Sequence, residues 1–248
     1  MLILLPPSEG KHQPRRGKPL DLGALSAPAL TPLRIEVLTA LQRLCADDPA
    51  TAIDVLGLGP TQFDLVVQNS EIDRAPTAAA SSVYTGVLYA ALDLPGLRGP
   101  DRRRANSRIA IVSALFGLLR PADRICAYRL SGGAKLPGVG ALPAFWRQGI
   151  SDEVARTRGL VVDMLSSPYA SMVTLPPGSV TVKVWQESGA GQRTAVSHFN
   201  KATKGELARL LVTTPEDPRT PSGLVELLRA NDWQADLEGH RLDVLIRQ

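Results

Sequence analysis

Short runs of apolar residues along this chain predict strands that are buried in a sheet. Residues 1–5, 109–113 and 160–165 are such runs, and each is bounded by polar or turn-forming residues. A strand covered on both faces shows no alternation, because neither face meets water. Residues 180–186 and 193–198 alternate instead, which predicts a hairpin closed by the turn Ser-Gly-Ala-Gly-Gln.

Helices are predicted where apolar residues recur every three or four positions. The clearest helix starts at Thr31 and Pro32, and its apolar positions are Leu33, Val37, Leu41 and Leu44. Proline suits the first helical position, where its missing N–H removes no hydrogen bond. Further elements are helices at residues 203–212, at 222–230 and in part of 78–92, and a last strand at 242–246. Because strands alternate with helices, we expect an α/β fold (mixed α+β) in which helices cover a mixed β-sheet.

Length and composition favour one compact domain. The chain has 248 residues, of which 44% are hydrophobic and 21% are charged, and these values are ordinary for globular proteins. No linker or shift in composition divides the chain, so we expect a single domain over residues 1–248. The apolar N-terminal stretch is too short for a signal peptide, and no apolar run approaches the roughly 20 residues of a membrane helix. We therefore expect a cytoplasmic protein with no membrane partner.

Cysteine and histidine usage predicts no metal site and no cofactor. The two cysteines, Cys45 and Cys126, lie in no Cys-x-x-Cys or Cys/His cluster, and we expect both to be small buried apolar side chains. The histidines His12, His198 and His240 share no ligand spacing. Only His198, at the end of a predicted strand, is kept as a catalytic candidate.

The charge balance favours anionic partners. Lys and Arg number 28 against 24 Asp and Glu, which gives a net charge of +4 and a sequence pI near 9.3. Basic residues concentrate at 11–18, at 101–104 and around Lys201 and Lys204. The run Arg102 to Arg104 is expected to be a solvated surface loop, whereas the other two clusters border predicted strand ends.

A glycine-containing turn in residues 51–70 resembles a helix-hairpin-helix element. Gly57 and Gly59 lie on either side of an apolar residue, between two short helical segments. Such a turn lets main-chain N–H groups approach a phosphate closely without reading sequence. The alternative is a plain helix-to-helix connection with a glycine cap.

Polar residues collect just past the predicted strand ends, where α/β proteins place their ligands. The four segments are residues 8–11, 113–129, 163–169 and 197–204. Lys11 and Arg129 are the best candidates for binding an anion, because lysine supplies a compact charge and arginine a bidentate fork. Arg120 and Asp123 are expected to be partly buried and paired, in a structural or an anion-binding role.

The same segments hold the candidates for base stacking and catalysis. Tyr84, Tyr128 and Trp146 can stack on a base if their rings are free. If the protein is an enzyme, Asp163 is the candidate general base or electrostatic stabiliser, with Lys11 and Ser166 beside it. No nucleophile elbow, phosphate-binding loop or dinucleotide fingerprint is present.

At these residues the chain resembles the YaaA family of bacterial proteins, which is associated with survival of peroxide stress. The most specific match is Gly-Leu-Leu-Arg-Pro-x-Asp at residues 117–123, followed by Tyr-Arg-Leu at 128–130. Other matching pieces are residues 1–11, 83–86, 145–146, 163–169 and 198–205. Two departures stand out: Pro-Pro-Ser-Glu-Gly-Lys replaces the usual Ser-Pro-Ala-Lys, and Lys204 replaces the arginine of Lys-x-x-Arg-Gly. The first marks a divergent branch, and the second keeps the charge without the guanidinium fork.

The resemblance implies a single-domain α/β fold with a basic cleft and a helix-hairpin-helix element. It also implies a DNA-binding protein of the oxidative stress response that limits iron-dependent DNA damage. Its candidate contacts to double-stranded or structured DNA are Lys11, Gly57, Gly59, Tyr84, Arg120, Tyr128, Arg129, Lys201 and Lys204. The alternative is an enzyme acting on a nucleotide, nucleobase or similar small anion, since carboxylate, tyrosine and serine together suggest chemistry. Neither reading implies a protein partner.

Overall fold

The computed structural model of the protein describes residues 1–59, 61–187, 193–195 and 197–247. Its strands are β1 Leu2–Leu5, β2 Ala78–Ala79, β3 Ile109–Ser113, β4 Gly117–Leu119, β5 Arg124–Ile125, β6 Lys135–Leu136, β7 Gly140–Ala141, β8 Val161–Asp163, β9 Val180–Glu187, β10 Arg193–Ala195, β11 Gln234–Glu238 and β12 Arg241–Arg247. Its helices are α1 Thr31–Asp47, α2 Pro49–Leu56, α3 Phe63–Ser70, α4 Ala80–Val83, α5 Val87–Leu92, α6 Gly99–Arg108, α7 Leu142–Ala155, α8 Ser167–Ala170, α9 Ser197–Thr213 and α10 Pro221–Ala230.

One mixed sheet organises the fold, as the sequence predicted. Its strands follow the order β11-β12-β9-β8-β1-β3-β4, and β10 pairs with β9. The pairs β12/β9, β9/β8, β8/β1 and β1/β3 are parallel, with Ile3 opposite Ile109 and Leu4 opposite Asp163. The chain leaves β1, returns on one side as β3 and later on the other side as β8. In parallel sheets such a switch opens a crevice at the carboxyl ends of the strands.

The apolar runs form the centre of the core. Leu4 and Ile111 are fully buried, and α7 covers this part of the sheet through Trp146, whose Nε1–H donates to Ala114 O at 2.8 Å. Gly117 has a φ of +66°, and a Cβ there would lie 2.7 Å from the Trp146 ring. Both its backbone conformation and this close approach therefore require glycine.

Two predicted elements differ in the structure. Residues 78–92 are broken into β2, α4 and α5, because Gly86 has a φ of +96° and Tyr84 is extended and bridges to Lys11. The hairpin of β9 and β10 is confirmed, but β10 ends at Ala195 and α9 begins at Ser197. The prediction that His198 ends a strand is therefore wrong, since it lies in the first turn of a helix.

The basic run near residue 103 is also not a loop. It forms α6, in which Arg102 and Arg103 are exposed but Arg104 bonds the carbonyl oxygens of Val212 and Thr213, each at 2.9 Å. The edge strand β11 was not predicted. Its residues Asp236 to Glu238 are exposed, so no run of buried apolar side chains marks it.

Candidate functional site

The loops after β1, β3 and β8 meet at the carboxyl edge of the sheet, as expected for three parallel neighbours. The side chains that meet there are Lys11, Tyr84, Ser113, Tyr128, Arg129 and Tyr169, and we call this group the edge site. The main chain fixes the loops, because Met164 N–H donates to Leu4 O at 3.0 Å and His12 N–H to Val83 O at 2.8 Å.

Lys11 is half-buried over an aromatic ring. Its Nζ donates to Ser8 O at 2.8 Å and lies 4.2 Å from the ring centroid of Tyr128 and 5.8 Å from that of Tyr84. Burial lowers the pKa of Lys11 to about 8; Glu9 acts against this shift and Arg129 adds to it. Lys11 therefore exists in both the charged and the neutral form near neutral pH.

A chain of hydroxyl groups runs beneath Lys11. Tyr84 Oη lies 3.0 Å from Tyr128 Oη, which lies 2.8 Å from Ser113 Oγ. Ser113 Oγ also accepts the main-chain N–H groups of Leu115 and Phe116 at 3.2 and 3.1 Å. Both lone pairs of the serine oxygen are thereby used, so its own proton points to Tyr128. The chain is directed from Ser113 through Tyr128 to Tyr84.

All four tyrosines of the chain, Tyr84, Tyr89, Tyr128 and Tyr169, gather here. Tyr89 stacks at 5.4 Å from Tyr84 and donates to Pro6 O, while Tyr169 accepts Gly132 N–H at 3.1 Å. Burial raises the pKa of each phenol above its ordinary value. The four hydroxyl groups consequently stay protonated and can donate hydrogen bonds throughout the neutral range.

Arg129 is held at the rim of the edge site by a buried amide. The Asn69 side chain, from α3, accepts the Arg129 N–H at 3.0 Å and donates to its carbonyl oxygen at 2.7 Å. The guanidinium Nη1 pairs with the carboxylate of Glu9. Nε is buried and has no hydrogen-bond partner among the described residues. Arg129 thus retains donor capacity beyond its one ion pair.

A second polar group lies after β8. Asp163 accepts Leu165 N–H at 2.8 Å and the Thr181 hydroxyl at 3.3 Å. Lys204 from α9 donates to Met164 O at 3.1 Å. Burial raises the pKa of Asp163, whereas it lowers the pKa of Lys204 to about 8 despite the nearby Asp163 charge. Together these residues place a second weakly compensated ammonium group at the carboxyl edge.

The predicted pairing of the Arg120 and Asp123 side chains is wrong. The guanidinium of Arg120 donates to the carbonyl oxygens of Ser107 and Ile109, at 2.9 and 3.0 Å. Asp123 instead accepts the main-chain N–H of Arg120 and two bonds from Ser26. The turn is therefore held by main-chain groups, and Arg120 is directed away from Asp123 into a structural role.

Sequence reasoning missed Arg34, which supports the loop after β3. It is fully buried and donates to the carbonyl oxygens of Phe116 and Leu118, both at 2.9 Å, and of Ser26 at 2.6 Å. Burial lowers its pKa to about 10. The sequence did contain a signal for this burial. Residues 30, 34, 37 and 41 form one helical stripe in which Arg34 is the only residue that is not apolar.

The remaining candidates lie in different environments. Trp146, Tyr84 and Tyr128 are 0–3% exposed, so their rings pack in the core, which was the alternative to stacking on a base. Ser166 and Lys201 are exposed. The side chain of His198 lies outside the described residues.

The glycine turn joins α2 and α3, and it is exposed. Gly57 has a φ of +60° and ends α2, and Gly59 N–H donates to the Gln62 side chain at 3.0 Å. A Cβ on Gly57 would meet nothing within 4 Å, so a ligand can approach the backbone there. Two short helices joined by a glycine turn are present, which fits both a helix-hairpin-helix element and a plain glycine-capped connection, and binding to nucleic acid stays a prediction.

A broad open depression lies elsewhere, between the end of α9 and α10. Its wall includes Glu216, Asp217 and Glu226, and such carboxylates disfavour an anion. In the described ranges no group of three or more His, Cys, Asp or Glu residues is placed to hold a metal ion. The edge site is therefore the better functional candidate, because it combines cations, perturbed pKa values and a directed proton chain.

Comparison with known proteins agrees with the motifs around the edge site. The family model described as "Peroxide stress protein YaaA" matches residues 1–236. The UPF0246 protein SCO2297 of Streptomyces coelicolor is 44% identical, covering 100% of this chain and 99% of its own. The UPF0246 protein CE1889 of Corynebacterium efficiens is 42% identical, and the match covers 99% of this chain and 98% of that protein. Within the described part of the chain no helix is long and apolar enough to span a membrane. The chain therefore belongs to the YaaA family of peroxide stress proteins.

Proposed function

We propose that this peroxide stress protein acts as an enzyme that binds a small nucleotide-like anion in the edge site. The observation that carries the proposal is the state of two lysines. Lys11 and Lys204 are half-buried and buried, respectively, and neither forms an ion pair with a carboxylate among the described residues. Both have a pKa lowered to about 8 by burial. A bound anion compensates these buried positive charges and raises the pKa values of the two lysines. Part of its binding free energy therefore comes from removing the electrostatic cost of burying an uncompensated ammonium group.

The arrangement favours a compact ligand over a long polyanion. Tyr84, Tyr128 and Ser113 are buried, so they serve a group that enters the site. Extended binding of a nucleic-acid backbone requires mainly exposed Lys and Arg side chains. In the edge site, by contrast, Arg129 is partly covered and its Nη1 already binds Glu9.

A screen of nucleotides and nucleobases for thermal stabilisation tests the proposal. A ligand present at about 100 times its dissociation constant adds about 2.7 kcal/mol to the free energy of unfolding. We expect a shift for at least one anionic nucleotide, lost in Lys11→Met and retained in Lys18→Met, since Lys18 is exposed. No shift with any of them, together with measurable duplex binding, would contradict the enzyme proposal.

The second candidate function is binding of duplex or structured DNA to limit iron-dependent damage. The turn at Gly57 and Gly59 favours it, because Gly57 is exposed and a phosphate can approach its backbone with no side chain in between. A phosphate at this turn would compete with the Gln62 side chain for the Gly59 N–H. Lys201 adds an exposed cation on α9. Any effect on iron is expected to be indirect, since no metal-binding cluster was predicted.

A further inference from the structure

The hydroxyl chain ends in a proton donor that has no acceptor among the described residues. Ser113 Oγ accepts two main-chain N–H groups and donates to Tyr128, and Tyr128 therefore donates to Tyr84. The only hydrogen bond of the Tyr84 hydroxyl among the described residues is this one. Its own proton is thus directed away from the chain. A donor fixed in this way is suited to an oxygen that develops negative charge.

The amine of Lys11 lies over the rings of the tyrosine cluster. Lys11 Nζ sits 5.8 Å from the Tyr84 ring centroid and 4.2 Å from that of Tyr128. Its polar contacts are carbonyl oxygens, Ser8 O at 2.8 Å and Glu9 O at 3.5 Å. Because no described carboxylate holds the amine in its charged form by an ion pair, it can lose its proton and act as a nucleophile.

An anion-binding arginine completes the group. Arg129 uses Nη1 for Glu9, while its buried Nε has no partner among the described residues. Asn69 fixes its backbone through two hydrogen bonds. A phosphate or carboxylate that competes with Glu9 would gain a positioned guanidinium fork.

We propose that Lys11 forms a covalent imine with an aldehyde or ketone that carries an anionic group, with Tyr84 donating to the carbonyl oxygen and Arg129 binding the anion. The inference rests on the proposed function, and it narrows the class of ligand from small anions in general to anions that carry an aldehyde or ketone. A phosphorylated small aldehyde and the ring-opened sugar of an abasic site in DNA share this chemistry.

The reaction balances without any further reactant. The neutral amine attacks the carbonyl carbon, a C–N bond forms, and the carbonyl π electrons move to oxygen. Transfer of the amine proton to that oxygen gives a carbinolamine. The hydroxyl group then leaves as water with one proton from the hydroxyl chain while the nitrogen lone pair forms the C=N bond, and the resulting iminium nitrogen releases its proton to solvent, which returns one proton to the chain. The net change is one amine plus one carbonyl giving one imine plus one water.

Reductive trapping with peptide mapping tests the inference. The protein is incubated with pyridoxal 5′-phosphate, with 2-deoxyribose 5-phosphate or with a duplex that contains one abasic site, and then treated with sodium cyanoborohydride. We expect a saturable one-to-one adduct on Lys11 with at least one of these probes, and the probe that reacts identifies the source of the carbonyl. Adducts spread over exposed lysines such as Lys18, or no adduct with any probe, would overturn it.

Matched variants separate the three roles. Lys11→Arg keeps the charge and should lose the adduct, whereas Lys18→Arg should behave as the parent. Tyr84→Phe should slow trapping by about 100-fold, because a general acid contributes at least this much. Pyridoxal, which lacks the phosphate, should react about tenfold less efficiently than pyridoxal 5′-phosphate, and this difference should vanish in Arg129→Gln. Equal efficiency of the two aldehydes on the parent protein would contradict the role of Arg129.

The same variants distinguish this inference from the proposed function. If Lys11→Arg and the parent protein are both stabilised by an anionic nucleotide but no adduct forms, the imine inference fails and the anion site stands. If neither nucleotide stabilisation nor an adduct is observed on folded parent protein, both proposals fail.

Discussion

The carboxylate of Asp123 accepts a hydrogen bond from the main-chain N–H of Arg120 at 2.8 Å, while the two side chains form no ion pair with each other. Asp123 also receives two bonds from Ser26, and its charge opposes part of the lowering that burial imposes on the pKa of Arg34. One buried carboxylate thus connects the turn after β4 to the start of α1.

Replacing Asp123 with alanine should destabilise the protein by about 3 to 5 kcal/mol, because three donors lose their acceptor and the buried Arg34 loses a nearby opposite charge. Urea unfolding measures this change. A double-mutant cycle with Arg120→Met should be additive within about 0.5 kcal/mol, since the two side chains share no bond. A large coupling energy would show that an Arg120 and Asp123 ion pair exists after all.

The connectivity of the hydroxyl chain predicts unequal stability costs for removing the Tyr128 and Tyr84 hydroxyl groups. Tyr128→Phe breaks two hydrogen bonds and should cost about 2 kcal/mol, whereas Tyr84→Phe breaks one and should cost about 1 kcal/mol. Both changes keep the ring, so packing is unaltered. Equal losses in the free energy of unfolding would contradict the central position of Tyr128 in the hydroxyl chain.

Anion binding should weaken as the pH rises through about 8. Both Lys11 and Lys204 have a pKa lowered to about 8 by burial, so the free protein loses charge above this pH at the edge site and at the second polar group after β8. Each lysine that must be protonated to bind lowers the affinity by about tenfold per pH unit above its pKa. Titration with sulfate, which does not change charge in this range, measures the effect. A pH-independent affinity between pH 6 and 10 would exclude both lysines.

The cysteines should not react with peroxide in the folded protein. Both are buried, and burial raises the pKa of Cys45 to about 11 and that of Cys126 to about 12. The thiolate is the form that peroxide oxidises, and it is scarce at neutral pH for such groups. Mass spectrometry after peroxide treatment should show two reduced thiols, which become reactive on unfolding. Sulfenic acid on native protein would contradict this.

If the glycine turn and α9 bind DNA, the logarithm of the binding constant should fall linearly with the logarithm of the salt concentration. The slope should be about −0.9 for each phosphate that the protein neutralises. Lys201→Ala should reduce this slope by about one unit. Lys204 is buried, so Lys204→Ala should leave the slope nearly unchanged. An unchanged slope in Lys201→Ala would remove α9 from the DNA contact.

Gly59→Val should weaken DNA binding by blocking the approach of a backbone, with the salt slope less altered because no charge is lost. A Cβ at this position would lie 3.7 Å from Gln62 Oε1, an ordinary contact, so the fold should persist. Gly133→Val is the matched control, since a Cβ there meets nothing within 4 Å. Equal affinities of the two variants would argue against a role for the turn.

The sequence predicted the sheet and the loops that meet at its edge, because strands buried on both faces leave uninterrupted apolar runs. It could not predict the tyrosine cluster. Tyr84 and Tyr169 are 85 positions apart, and their proximity results from the switch in strand order around β1. Arg120 shows that a local pattern can also mislead. The Arg-Pro-x-Asp sequence suggested that the side chains of Arg120 and Asp123 pair, but the Asp123 carboxylate binds the main-chain N–H of Arg120 and the N–H and hydroxyl groups of Ser26 instead. The exposed strand β11 had no apolar pattern to mark it.

Two arginines of α6 bond the carbonyl oxygens that end α9. Arg104 binds those of Val212 and Thr213, and Arg108 binds those of Leu211, Thr214 and Pro215, at 2.6 to 3.1 Å. Lys204 lies about 10 Å upstream of Leu211 on the same helix. Without Arg108, the carbonyl oxygens of Leu211, Thr214 and Pro215 would lose this donor, so the helix that carries Lys204 depends on α6 for the satisfaction of its last carbonyl groups.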